Sequence, residues 1–297
     1  MDTPTAVRRL YLTGGDGMLG TALTAALAAD PATSHWPVRG VSVKDFDIGD
    51  GGAVRDDIEA FRPDVVVHTA AHAVVDDCET NPALALRVNV AGVHNVVDAC
   101  RRTGARLVYI SSDYVFDGDA PPRGGYRESD LPNPLNVYGL TKLAGERTGA
   151  LLGADALNVR TSWLFGGTDE RVDPVLAALR LARNGEPAAL VADQYSLPTY
   201  TADLARGLVF LLTRREPVSG TVHVANAGSA SWYDVGLALC SLVPQVPEPK
   251  PLAMVECGFV GRRPRDSTLA TARLSALGLT LPHWRDGLER FCAGHPF

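Results

Sequence analysis

Short apolar runs alternate along this chain with longer amphipathic stretches. Residues 9–13 are apolar and β-rich and lead into glycines, and Met18–Ala29 carries the Ala/Leu pattern of a helix. Residues 38–43 predict a second strand. Residues 64–68, with Val65, Val66 and Val67 in succession, predict a third that is buried on both faces. A long helical pattern over 83–103 is closed by Gly104. Residues 106–111 read as the next strand, 136–152 as a helix and 156–160 as a strand again.

Strands alternating with helices of this length make parallel βαβ units with right-handed crossovers. The expected fold is therefore α/β: a doubly wound, mostly parallel Rossmann sheet. Its nucleotide-binding domain is read over residues 1–160, with some later strands returning to it. After Trp163 the rhythm loosens, and prolines space the stretch 244–251. Residues 161–297 are read mainly as a smaller substrate-binding lobe over the strand C-termini, where open α/β sheets bind ligands.

The first strand runs into Thr13-Gly14-Gly15-Asp16-Gly17-Met18-Leu19-Gly20. Gly14, Gly17 and Gly20 permit, in turn, a tight turn, close approach of backbone to a pyrophosphate, and close helix–strand packing. The helix that opens at Met18 offers unpaired N–H groups and a positive dipole end to phosphates. The second strand ends at Ser42-Val43 before Lys44 and Asp45, which does not separate a ribose hydroxyl from a 2′-phosphate, so NADPH and NADH both stay open. Asp47 and Ile48 are candidates for the adenine side.

Tyr138 and Lys142 are four residues apart on the expected helix, hence on one face about one turn, ~6 Å, apart. An ammonium beside a phenol favours the phenolate and is expected to lower its pKa. Tyr138 can then protonate a carbonyl oxygen while hydride arrives at its carbon. Ser112 lies at a strand end 26 positions before Tyr138, where a hydroxyl can polarise that carbonyl. Glycine turn, strand-end serine and Tyr-x-x-x-Lys in this order form a specific constellation.

Charge and cysteine content narrow the partners. With 34 acidic and 28 basic side chains and a net charge of −6, the chain has no basic excess for a phosphate backbone, so no nucleic-acid partner is expected. The cysteines number five, widely spaced and without a C-x-x-C pair, which points to reduced thiols in a cytoplasmic protein. The first six residues have no apolar signal core and no stretch approaches the ~20 apolar residues of a span, so no membrane association is expected. His68 and His72 straddle a strand end where their spacing does not converge, so no metal site is expected. Arg262, Arg263 and Arg265 are candidates for nucleotide phosphates, with a solvated basic cluster as the alternative.

Together these residues resemble the extended short-chain dehydrogenase/reductases, and within them the dTDP-4-dehydrorhamnose reductase family. The resemblance covers nearly the whole chain: the glycine turn, Arg62-Pro63-Asp64, Val88-Asn89-Val90-Ala91-Gly92 and Ser111-Ser112-Asp113-Tyr114-Val115-Phe116-Asp117-Gly118. It continues through Asn133-Pro134 to Tyr138-Gly139, Lys142-Leu143-Ala144-Gly145-Glu146, Arg160-Thr161-Ser162-Trp163 and Pro198-Thr199-Tyr200. It implies NAD(P)H-dependent reduction of the 4-keto group of a dTDP-linked 4-keto-6-deoxyhexose. Tyr138 is then the acid, Lys142 its partner and Ser112 the hydroxyl. Gly14, Asp16, Gly17, Met18, Leu19, Gly20, Asp47, Ile48, Ala70 and Ala71 fall to the cofactor, and His72, Ser112, Asp113, Tyr114 and Trp163 to the substrate. Asn89 is read as structural. Dimerisation occurs among relatives, so a homodimer stays open.

The chain departs from the family pattern at His72, Ala73 and Asp77 beside the expected sugar site, and at Ser196 where glycine is expected. A 4-ketoreductase of another deoxysugar pathway therefore remains an alternative. So does a non-catalytic regulatory subunit resembling the β subunit of methionine adenosyltransferase, against which Trp163 and Tyr114 speak.

Overall fold

The computed structural model describes residues 7–294; the first six residues, read above for a signal core, lie outside them. Strand β1 (Leu10–Thr13) is wholly buried and turns through the glycines into helix α1 (Met18–Ala29), whose Leu19, Leu23 and Leu27 recur at helical spacing on its buried face. After β2 (Val38–Val41), the Asp50 carboxylate caps α2 (Gly51–Phe61) by accepting from the Gly52 and Ala53 N–H groups. Then come β3 (Val65–His68), α3 (Val75–Thr80), α4 (Pro82–Leu86) and α5 (Gly92–Thr103). One π turn, Arg87–Ala91, joins α4 to α5, so the single helix expected over 83–103 carries a bulge.

Strand β4 (Arg106–Ser112) passes into a 3₁₀ turn (Asp113–Val115) and reaches α6 (Val137–Gly149), which Asn136 caps through the Gly139 N–H. Strand β5 (Ala156–Thr161) follows. The rest supplies β6 (Leu164–Phe165), α7 (Pro174–Arg183), β7 (Ala189–Val191), β8 (Thr199–Tyr200), α8 (Thr201–Thr213) and β9 (Gly220–His223). It ends with α9 (Trp232–Leu242), β10 (Lys250–Leu252), α10 (Ala272–Ala276) and α11 (Trp284–Ala293).

Six strands pair in parallel in the order β2-β1-β3-β4-β5-β9. This is the doubly wound parallel sheet that the alternation of elements predicts. Side chains of β1 alternate between its two faces. Leu10 and Leu12 pack with α1 and with Leu204, Leu208 and Leu212 of α8, whereas Tyr11 packs with Val54 and Ile58 of α2 and Val96 of α5. The late strand β9 closes the β5 edge, and α8 covers α1, so residues beyond 161 complete this sheet as well as forming a second core. That second core gathers Phe165, Trp284, Leu288 and Phe291 with parts of α7 and α9. Among the described residues no helix is long and apolar enough to cross a membrane.

The strand order reverses between β1 and β3. At such a switch point the loops leaving the two strands diverge to opposite faces and open a crevice at their C-terminal ends.

Candidate active site

A cavity of about 630 Å³ occupies that crevice. Gly14, Asp16, Gly17, Met18 and Leu19 line one end, with Asp47, Ile48, Ala70 and Ala71; Ser112, Asp113, Tyr114, Tyr138, Lys142 and Trp163 line the other. Gly20 stands behind the wall. A Cβ there would collide with the Gly14 carbonyl oxygen, and one on Gly14 itself (φ 68°) would come within 2.7 Å of Thr69 Oγ1. The turn is thus tight because only hydrogen fits at both positions.

The dinucleotide fits this cradle on the structure's own terms. The N-cap of helix α1 is Gly17, which has no side chain to cap it and leaves the first N–H groups to an anion. Asp47 is held by the Gly49 N–H at 2.7 Å and by Arg87 Nη2 at 2.7 Å, so its carboxylate stiffens the far wall. Three residues beyond β2, Lys44 Nζ lies 2.9 Å from Asp16 Oδ2.

Helix α6 brings Tyr138 and Lys142 in from the other side. Lys142 is buried, with Nζ 4.6 Å from the Tyr109 ring centroid. Burial lowers its ammonium to a pKa of about 8, against the pull of the Glu146 carboxylate one turn further on. Tyr138 is packed edge-on to Tyr114, with centroids 6.0 Å apart. Burial pushes its phenol well above 10; the Ser112 hydroxyl works against that rise, and the Asp113 charge adds to it. The expected lowering by Lys142 is therefore overturned: desolvation of the phenolate dominates, and Lys142 is not among the groups that shift it.

Below Lys142 lies a buried ion pair. Glu146 Oε1 accepts from Arg160 Nε at 2.8 Å and Ser111 Oγ at 2.6 Å, and Oε2 accepts from Arg160 Nη2 at 2.8 Å. Asn89, on the π turn, acts as a clamp. Its Oδ1 accepts from the His72 N–H at 2.7 Å, and its Nδ2 donates to the His72 carbonyl at 2.9 Å and to Thr141 Oγ1 at 3.0 Å. The chain leaving β3 is thereby tied to the helix carrying Tyr138, the structural part read for Asn89.

Two substrate-side expectations look different in three dimensions. His72 is absent from the cavity lining although Ala71 and Ala73 on either side of it line the cavity, and its Nε2 is a buried atom with no partner. Asp113 lies at the wall, yet its carboxylate is turned into a cluster of seryl hydroxyls. Of the three arginines, Arg263 has a side chain only 9% exposed and pairs with Asp76 at 2.9 Å. Trp163 holds a positive φ of 44° and stacks on Trp232 with ring centroids 4.8 Å apart and planes 6° apart. A bulky residue in that conformation stores strain, which surrounding structure tolerates chiefly at ligand sites.

Glu146, Thr141, Ser196 and Trp232 were not singled out for roles. Glu146 had a signal, since it continues the Tyr138–Lys142 stripe by four more residues, and Ser196 had one as a departure from the family pattern. Ser196 and Trp232 reach the site solely through tertiary contact.

Residues 8–295 match the RmlD substrate binding domain family. The chain is 38% identical over 289 residues to the dTDP-4-dehydrorhamnose reductase of Streptomyces griseus, covering 94% of this chain and 91% of that one. It is 36% identical over 287 residues to the dTDP-4-keto-6-deoxy-D-glucose reductase of Streptomyces niveus, covering 95% and 96%. The crystal structure of dTDP-4-dehydrorhamnose reductase from Bacillus anthracis in complex with NADP superposes with a TM-score of 0.90 at 35% identity, covering 97% of this chain and 100% of that one.

Proposed function

Since this chain belongs to the RmlD substrate binding domain family, we propose that it reduces the 4-keto group of a dTDP-linked 4-keto-6-deoxyhexose with NADPH or NADH. The relatives' names, one for dTDP-4-dehydrorhamnose and one for dTDP-4-keto-6-deoxy-D-glucose, support the substrate class. The observation that carries the reading is the placement of Tyr138 and Lys142 side by side in the cavity that the glycine turn opens.

When bound, the reduced nicotinamide supplies the hydride that goes to C4. The glycine turn with Asp16, Met18, Leu19 and the bare end of α1 holds the pyrophosphate, Asp47 and Ile48 border the adenine side, and Ala70 and Ala71 run alongside. Tyr138 Oη gives its proton to the C4 oxygen. Burial keeps that phenol protonated at neutral pH, the state a proton donor needs. Lys142, still cationic below about pH 8, stabilises the phenolate left behind and reaches the ribose hydroxyls. Tyr114 and Trp163 wall the sugar end, where their rings exclude water. The five free cysteines support a cytoplasmic setting.

The test is purified protein with NADPH or NADH and enzymatically prepared dTDP-4-keto-6-deoxysugars, followed by loss of reduced-cofactor absorbance. Tyr138→Phe should lower kcat by about 10²–10⁴-fold, the range for losing a general acid, and leave the cofactor Kd unchanged. Wild-type turnover by Tyr138→Phe would remove the proton-donor role.

A further inference from the structure

Lys142 is buried, yet among the described residues it forms no ion pair: the Glu146 carboxylate one turn further along α6 spends its oxygens on Arg160 and Ser111. What lies against the ammonium is an aromatic face, the Tyr109 ring, with Nζ 4.6 Å from its centroid. A cation within about 6 Å of a ring centroid is attracted by the negative face of the ring, more strongly where water is excluded.

The fold fixes that ring from several sides. Tyr109 is 1% exposed in β4 and stands beside His68 of β3, its register partner. The two rings stack with centroids 5.8 Å apart and planes 19° apart. His68 Nδ1 lies 2.7 Å from Thr13 Oγ1, so the row runs across the sheet to the residue before the glycine turn. Helix α6 comes down on the ring at Gly145, where a Cβ would collide with Tyr109 Oη and Cζ. Gly145 is three residues from Lys142 and therefore on the same helix face. The phenol itself is no counter-ion, because burial pushes it well above 10 and the Tyr138 and Glu146 charges add to the rise. What meets the cation is the π face, not a charged oxygen.

We propose that Tyr109 is a positioning residue for the reduction: its ring face seats the Lys142 ammonium by a cation–π contact and keeps it charged beside Tyr138. The inference rests on the reductase reading for what Lys142 then does, while the seat itself belongs to the folded chain. Burial lowers Lys142 to a pKa of about 8; against it work Glu146 of its own helix and the Cys78 thiol of α3. His68 of β3 adds no competing charge, since burial, with the Lys142 charge second, lowers it to about 3. Arg160 of β5 is held by Glu146.

The chain has three lysines, and Lys44 and Lys250 are exposed, so one amine can be followed cleanly. Trace labelling of the unliganded protein with acetic anhydride over about pH 6–10, read by mass spectrometry of the peptide holding Lys142, reports how that amine titrates. Tyr109→Phe keeps the face and loses the long 3.5 Å bond from Oη to the Lys142 carbonyl. It should leave both this titration and the alkaline limb of kcat where they are. Tyr109→Leu removes the face, and both should move about one pH unit lower, the scale of a desolvated cation–π contact. From a midpoint near 8, kcat then falls about eightfold at pH 8.5 and hardly at pH 6.

Leu also changes the shape of the core, so phenylalanines bearing one, two and three fluorines at position 109 form the second series, with thermal melting as the check on folding. Fluorine withdraws charge from the ring face at nearly constant shape, and the Lys142 titration should step down with each one. A titration that ignores both Tyr109→Leu and the fluorines, or a kcat that falls by one factor at every pH, would leave Tyr109 as core packing and overturn the proposal. Stepwise shifts of the labelling in a protein that turns over no ketosugar would uphold the seat and sink the reductase reading instead.

Discussion

Replacing Glu146 by Gln tests the support beneath the reactive pair. Both partners of the Glu146–Arg160 pair are nearly sealed from solvent, with side-chain exposures of 5% and 4%. Gln keeps the volume and can keep one acceptor on Arg160 Nε or Ser111. Its NH₂, however, meets Arg160 Nη2 donor to donor, and Arg160 Nη1 already lacks a partner. Breaking a buried pair from one side costs about 3–5 kcal/mol, because the other charge stays buried and unpaired. At about 2–4 °C per kcal/mol for a chain of this size or somewhat smaller, the melting temperature should fall by about 6–20 °C.

The same substitution should move the pH profile. The Glu146 charge favours the Lys142 ammonium. A unit charge ~6 Å away at an effective dielectric of about 20 is worth ~3 kcal/mol, and Arg160 offsets much of it, leaving about one pH unit. Lys142 acts as a cation, so activity is present below its pKa and lost as pH rises through it. In Glu146→Gln the alkaline limb of kcat should therefore shift from near pH 8 to about one unit lower. Differential scanning calorimetry and a kcat–pH series measure the two effects. A melting point within ~3 °C of wild type together with an unmoved alkaline limb would refute the argument that this pair sustains Lys142.

Two further outcomes follow from the rim and the aromatic wall. Lys44→Ala removes an exposed pair with Asp16, so the melting temperature should hold, while the KM for NADPH should rise about five- to tenfold at low salt and that for NADH should hold. Equal effects on both cofactors would show that Lys44 does not meet a 2′-phosphate. Trp232→Ala removes the stack that braces Trp163, worth ~1 kcal/mol, and should raise the sugar-nucleotide KM about fivefold without changing the cofactor Kd by titration. An unchanged sugar KM would mean that Trp163 needs no brace.

The parts of this molecule that sequence reveals are those fixed by short-range pattern. Met18–Ala29 is helical over the expected residues, since apolar spacing and the glycine turn both mark its start. The parallel sheet is legible because continuous runs such as Val65-Val66-Val67 need burial on both faces. The π turn at Arg87–Ala91 escapes such reading, because one inserted residue barely alters the apolar period, yet it carries Asn89 to the His72 backbone. The Asp113 cluster escapes for another reason: Ser196 and Ser267 lie 83 and 154 positions away in the chain. Titration follows neither pattern. Spacing places Lys142 beside Tyr138, but the rise of the phenol comes from desolvation, which only the packed neighbours determine.

The late arrival of β9 sets an order on biosynthesis. Leu157, Asn158 and Val159 wait for Gly220, Thr221 and Val222, and the α1 face of the sheet waits for α8. At ~5–20 residues per second a ribosome needs about 3–12 s to supply those ~60 further residues. During that interval the nascent chain presents an unsatisfied sheet border and a greasy flank, the combination that calls for chaperones or seeds intermolecular pairing. A stop codon shortly after residue 160 would make that transient condition permanent.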